Sequence, residues 1–200
     1  MTAALQYLAA RDARLAGILT GPPFKAYRHS DLYLDLIEAI VSQQLSGQAA
    51  ATIFDRFLDL FPRRQPTPRR LRAMRLERLR AAGLSRQKAG YLHNVAAFAL
   101  CHDLSRAALR PLSDDEIVAL LTQIKGVGRW TAEMLLMFPL DRPDVFPVDD
   151  LGIQLAMQQL YGLRSRGPRL RRRLTAIAEA WRPHRTLACK HLWRWRSTRR

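Results

Sequence analysis

The 200-residue sequence predicts an all-α fold on three observations. Apolar residues recur at three- and four-residue spacings along nearly the whole chain. No stretch sustains strand-type alternation between turn signals. Capping residues precede one apolar-periodic run after another. Leu32, Leu36, Ile37, Ile40 and Val41 mark the apolar face of a helix that starts behind a Ser30 cap and ends near Gly47 or continues past it. A second helix follows over 49–61, and RRQPTPRR, residues 63–70, reads as a loop between helices. Within it Thr67 and Pro68, a cap with proline in the first turn, open a short helix that closes at Gly83. Ser85 caps the next, whose Tyr91, Leu92, Val95, Ala96 and Phe98 face inward, and Pro111 ends that region. Ser113-Asp-Asp-Glu116 is a capping box leading into Ile117, Leu120 and Leu121. A tight turn, Lys125-Gly126-Val127-Gly128, then leads to a helix opening at Arg129 or Trp130, so 113–138 reads as one helix-turn-helix unit. Helices over 150–161, 169–181 and 185–195 complete the set.

A composition of 48% hydrophobic and 25% charged residues is that of a globular protein, with length for one large domain or two small ones. No window approaches the ~18 to 20 apolar residues of a membrane span. The N-terminal stretch carries Arg11, Asp12 and Arg14 where a signal peptide needs an apolar run, so a cytoplasmic location is expected. Cys101 and Cys189 are the only cysteines, too few for a disulfide framework or for a four-cysteine zinc or iron-sulfur site, and no metal is expected.

The formal charge of +16 is concentrated. Residues 62–90 hold 10 basic side chains against the single acid Glu77, and 161–200 hold 13 against Glu179, so the rest of the chain is net acidic. Such stretches favour a polyanion by counterion release; nucleic acid is the usual one, and a solvated basic face or an anionic membrane surface is the alternative. Of the 33 basic residues 29 are arginine, a skew that suits phosphate chemistry and equally a GC-rich genome.

The glycines of the 125–128 turn allow positive φ and close approach of another backbone. The amides opening the second helix can hold a phosphate by the main chain, with charge added by Lys125 and Arg129. The same turn also serves an ordinary αα-hairpin. In FPVDDLGI, Pro147 fixes the approach to Asp149 and Asp150, at the head of a helix bearing Leu151, Ile153, Leu155 and Leu160. An Asp there is a helix N-cap, and it can also stabilise developing positive charge or orient water.

Taken together, LIEAIVSQQLSGQAA, LRAAGLSRQKAGYLHNVAAFA, the hairpin with PVDDLGI, and WRPHRTLACKHLWRW resemble the helix-hairpin-helix DNA glycosylases, closest to the 3-methyladenine DNA glycosylase II branch. The likeness covers about 32–195, with the segments in the family's order. It implies two helical subdomains, a bundle over 33–138 and a second formed by 1–32 with 139–200, with a DNA-binding cleft between them. It also implies that Asp149 is the catalytic carboxylate and Asp150 its structural neighbour. Trp130 stands where members that also cut the backbone carry a Schiff-base lysine, so a monofunctional enzyme leaving an abasic site is implied.

In VSQQLSGQ, the resemblance makes Leu45 the wedge, Gln44 the side chain that fills or probes the gap, and Ser46 its flank, although Leu45 on its own reads as core. Trp193 aligns with a base-pocket aromatic and also suits packing in the last helix; with Trp130 it offers flat walls for an electron-poor base. Lys125, Gly126, Val127, Gly128 and Arg129 are the implied phosphate-binding turn. Met134 stands where a close relative has tyrosine, and the likeness does not extend to that relative's N-terminal mixed domain, so a compact subtype is expected. The expected reaction is hydrolysis of the N-glycosidic bond of 3-methyladenine and 7-methylguanine, with 1-methyladenine and etheno adducts further candidates, by a cofactor-free monomer acting on double-stranded DNA at the nucleoid. A non-catalytic module binding damaged or abasic DNA, or a glycosylase for another lesion class, remains the alternative.

Overall fold

The computed structural model describes residues 2–24, 31–45 and 47–198. Among them the fold is all-helical, with one isolated bridge between Asp31 and Ser105. In chain order the helices are α1 (Ala3–Arg11), α2 (Ala13–Ala16), α3 (Leu32–Ser42), α4 (Gly47–Asp59), α5 (Pro68–Ala73), α6 (Leu76–Ala81), α7 (Arg86–Cys101) and α8 (Arg106–Leu109). They continue with α9 (Asp114–Leu121), α10 (Arg129–Met137), α11 (Leu151–Tyr161), α12 (Gly167–Ala178) and α13 (Arg185–Ser197). No helix is long and apolar enough to cross a membrane.

The chain divides into two compact units, one of Met1–Tyr27 with Leu136–Arg200, the other of Arg28–Leu135. The contiguous unit is built on α7, whose Ala89, Leu92, Val95 and Ala96 are buried at helical spacing and meet α3, α5 and α6. Leu32, Leu36, Ile37 and Ile40 of α3 and Phe57 of α4 fill the same core, each fully buried and worth about 1.5–3 kcal/mol by transfer alone. In the unit formed by the two chain ends, α11 packs on α13 and α12 around Ile153, Met157, Leu170, Leu174, Trp181 and Leu192. There Asp12 ties α2 to that core, accepting from the Tyr161 hydroxyl at 2.5 Å and the Trp181 indole at 2.9 Å.

Several local expectations are sharpened. The Ser113–Glu116 capping box is formed, and Ser85 caps α7 by accepting from Lys88 N–H. Ser30 lies outside the described residues; Asp31 is the side chain that caps α3, accepting from Tyr33 N–H at 2.9 Å. The single helix expected between Thr67 and Gly83 is two, because Met74 is extended (ψ 137°) between α5 and α6. A continuous helix would rotate Leu79 about 80° away from Leu71. The break lets both side chains be fully buried.

Candidate functional site

Three sequence segments singled out for chemistry are each fixed by identifiable contacts. The first is the hairpin. After α9 the chain turns through Gly126, whose φ of +110° an L side chain rarely adopts, and Val127 N–H closes the turn on Ile124 O at 2.9 Å. The Tyr91 ring of α7 lies so close that a Cβ on Gly126 would meet Tyr91 Cγ at 2.3 Å. Asn94 Nδ2 donates to Lys125 O at 3.0 Å, so one face of α7 sets the height of the turn. Gly128 has no neighbour near its Cβ position, and Lys125, Arg129 and Trp130 are exposed, Trp130 by 44%. Arg129 pairs with the buried Glu133 at 3.0 Å, and Val127 is buried.

The second is the loop after α3. The sequence puts polar glutamines where a helix must stop, and Gln43 takes the C-cap. Gln44 then adopts a left-handed backbone, φ +58°, and Leu45 is left 38% exposed, so the structure does not use it as core. Gln43 Nε2 lies 3.4 Å from Gly126 O and 3.5 Å from Thr131 Oγ1, which links this loop to the hairpin inside one unit. Lys88 Nζ caps the end of α3 by donating to the carbonyls of Val41 and Gln43. Ser46 lies outside the described residues.

The third is the loop that carries the two carboxylates. Arg185 grips Asp144 with Nε at 2.8 Å and a second nitrogen at 3.0 Å, and Arg182 adds 2.6 Å. Thr186 accepts from Val145 N–H and donates to Arg142 O, so the first turn of α13 holds residues 142–145 by main chain and side chain. Pro147 to Asp150 close a turn, Asp150 N–H donating to Pro147 O at 3.0 Å. Of the pair, Asp150 is the N-cap of α11, accepting from Ile153 N–H at 2.8 Å. Its same oxygen accepts from the Trp193 indole N–H at 2.8 Å. Asp149 caps nothing: its side chain is 59% exposed and meets Arg171 of α12 at 3.5 Å. Trp193 is half-buried, stacked at 5.9 Å on Phe138, with its edge against Gly152. Its packing role is therefore real, through Asp150.

Gln44, Leu45 and residues 125–130 belong to the contiguous unit, and Asp149 and Trp193 to the other. Sequence reasoning gave no site role to Gln43, Lys88, Asn94, Arg171 or Arg185, and read Tyr91 only as an inward-facing residue of its helix. Of these only Lys88 carried a signal, a cation three residues after a helix cap. Cys101 is exposed and Cys189 buried, neither in a disulfide, and among the described residues no cluster of three or more His, Cys, Asp or Glu is placed to hold a metal.

The profile of the HhH-GPD superfamily of base excision DNA repair proteins matches residues 37–183. A DNA-3-methyladenine glycosylase 1 from Schizosaccharomyces pombe is 38% identical over 176 residues, covering 86% of this chain and 75% of that protein. The solved structure of a 3-methyladenine DNA glycosylase from that yeast, in complex with abasic DNA, superposes with a TM-score of 0.84 at 36% identity, covering 96% of each chain. A DNA-3-methyladenine glycosidase from Bacillus halodurans gives 0.85 at 32% identity, over 98% of this chain and 90% of that one.

Proposed function

This chain belongs to the HhH-GPD superfamily of base excision DNA repair proteins, and from that premise we propose that it is a monofunctional DNA glycosylase releasing alkylated purines from DNA. Its substrates are 3-methyladenine and 7-methylguanine, with 1-methyladenine and etheno adducts as further candidates. It acts as a monomer on double-stranded DNA, in the cytoplasm at the nucleoid.

The observation that carries the reading is the division of labour between adjacent carboxylates. Asp150 is committed to Ile153 N–H and the Trp193 indole, whereas Asp149, held on the same turn, is 59% exposed and meets Arg171 Nε through Oδ1 at 3.5 Å. A carboxylate placed that way meets a flipped sugar without reorganising, which is where electrostatic stabilisation acts most strongly. Alkylation at N3 or N7 makes the purine cationic, so it leaves as a neutral base with the electron pair of the C1′–N bond. Asp149 stabilises the oxocarbenium-like sugar left behind. A water oxygen then bonds to C1′, and its proton passes to Asp149 or to solvent.

Leu45, presented beyond the left-handed Gln44, is the wedge that occupies the gap left by the extruded nucleotide, with Gln44 filling or probing it and Ser46 beside it. Residues 125–129 take a phosphate through main-chain amides, aided by Lys125 and Arg129. Trp130 gives an aromatic face to the cationic base. Trp193, whose edge and one face are engaged by Asp150 and Phe138, has its remaining face for that base. Trp130 has no amine for a Schiff base, so the product is an intact strand with an abasic site.

The test is base release from duplex DNA carrying 3-methyladenine or 7-methylguanine, followed by chromatography of the free base and by strand analysis with and without alkali. Release with cleavage only after alkali is expected. Tight binding without release of either base would favour a non-catalytic module for damaged DNA, and cleavage without alkali would refute the monofunctional assignment.

A further inference from the structure

Lys88 sits where electrostatics disfavours a cation. It is the third residue of α7, in the turn where free amides and the helix dipole are positive, and burial pulls its ammonium below the usual lysine range. What compensates is the other end of another helix. Lys88 Nζ donates to Val41 O at 2.8 Å and to Gln43 O at 2.6 Å, at the C-terminus of α3, where the dipole favours positive charge. These carbonyls flank the point at which α3 stops. Gln43 N–H still closes on Ala39 and Ile40, but Gln44 turns left-handed and Leu45 N–H reaches back to Ser42 O at 3.2 Å.

Beneath this loop lies a hollow of about 220 Å³, lined by Gln43, Gln44, Leu45, Ile53, Leu84 and Lys88. A loop with a strained residue above a hollow of that size has both a reason and the room to relax inward. The Lys88 ammonium opposes that relaxation, because dropping the Gln43 carbonyl would leave a half-buried cation short of a partner. Gln43 also carries the side chain that reaches Gly126 O and Thr131 Oγ1, so fixing its main chain sets the register between this loop and the hairpin.

We propose that Lys88 is the positioning residue of the base-displacing loop: its ammonium clamps the Val41 and Gln43 carbonyls and thereby holds Gln44 and Leu45 in the conformation that enters the DNA stack. Lys88 touches neither the base nor the sugar in this account, and the inference rests on the reading of Leu45 as the wedge.

The experiment compares single-turnover excision of one lesion in two settings: fully paired duplex, and the same strand with the lesion inside a short unpaired bubble. The lesion is whichever of 3-methyladenine and 7-methylguanine the wild type releases faster. A nucleotide that is already unstacked needs no wedge. Lys88→Met is therefore expected to lose at least about tenfold on paired duplex and less than about threefold in the bubble, a split that general loss of folded enzyme does not produce. Lys88→Arg, which keeps charge and donors, is expected to recover most of the paired-duplex rate.

Leu45→Ala is the reference. If it splits the two substrates and Lys88→Met lowers both equally or neither, the Lys88 inference is overturned and the wedge reading stands. If Leu45→Ala itself shows no split, the wedge reading fails, and the inference fails with it. Should Lys88→Met not fold, Lys88→Gln is read in the same way: a split supports the clamp, and equal losses overturn it.

Discussion

Gly126 offers a test of the hairpin in which the structure supplies both the magnitude and the control. Alanine there would place Cβ at 2.3, 2.6 and 2.7 Å from Cγ, Cδ1 and Cβ of Tyr91, distances that real Cβ atoms do not show, on a backbone at φ +110°. Relief requires moving the ring or the turn, and the turn is pinned by Asn94 on Lys125 O. Overpacking a fitted contact costs about 1–3 kcal/mol, and forcing an L residue into a sparsely populated backbone region about 1–3 kcal/mol more. Partial relaxation makes a loss of about 2–4 kcal/mol the expected sum. For a chain of this size that lowers the melting midpoint by roughly 4–16 °C.

Gly128, two residues on, has nothing within 4 Å of its Cβ position and an ordinary φ. Gly128→Ala is therefore expected to lose no more than about 1 kcal/mol, the difference between glycine and alanine at a helix N-cap. Urea and thermal unfolding of the two variants side by side give the comparison, and affinity for abasic duplex reports whether the displaced turn still meets a phosphate. Equal stability of Gly126→Ala and Gly128→Ala would refute the packing argument.

Three further outcomes follow from the same contacts. Burial, reinforced by Arg72 near His93 and Arg194 near His191, holds both imidazoles below the usual histidine range. As pH falls through about 6.5 the unfolded chain takes up protons that the folded chain refuses, so stability declines there and levels off below the folded values. The melting midpoint should drop between pH 7.5 and 5, and a His93→Gln, His191→Gln double variant should flatten that limb; a flat wild-type profile would contradict it. Arg185→Met leaves the mostly buried Asp144 carboxylate with Arg182 as its remaining ion-pair partner and loosens the loop bearing Asp149. About 1–3 kcal/mol of stability should be lost, as for hydrogen bonds to a charged group, with kcat reduced more than KM in steady-state excision, and unchanged kcat would argue that α13 does not set the loop. Affinity for abasic duplex should fall with log salt at a slope steeper than about −3, since each phosphate neutralised contributes about −0.9; a slope near zero would remove the electrostatic footing.

The helices were legible because their signals are local. Ser113 with Glu116 announces a cap three residues away, and the spacing of Leu32, Leu36, Ile37 and Ile40 states which face is buried. The break at Met74 was not legible, because Met74 has no breaking propensity; the burial of both Leu71 and Leu79 decides it. Ser113 to Phe138 could be read as a hairpin, but not that Tyr91 sets its height, since that contact joins residues 35 apart with no pattern connecting them. Asp149 and Asp150 were both visible at a helix head, and Pro147 foretold the turn. That the capping one, Asp150, also accepts from the Trp193 indole, 43 residues away, is a fact of tertiary packing with no local signal. Leu45 marks the limit from the other side: one helical turn after Val41, it reads as core by pattern, and the left-handed Gln44 before it leaves it 38% exposed.

The most direct test of the central claim is single-turnover excision of 3-methyladenine or 7-methylguanine from duplex DNA by wild type, Asp149→Asn and Asp150→Asn, with affinity for abasic duplex measured alongside. Loss of at least about a thousandfold in Asp149→Asn, as expected for removing the charge opposite a developing cation, with near-normal DNA affinity and a smaller, stability-linked loss in Asp150→Asn, is the predicted result. Excision retained by Asp149→Asn would contradict the account, and retention there with abolition in Asp150→Asn would move the chemistry to the capping carboxylate.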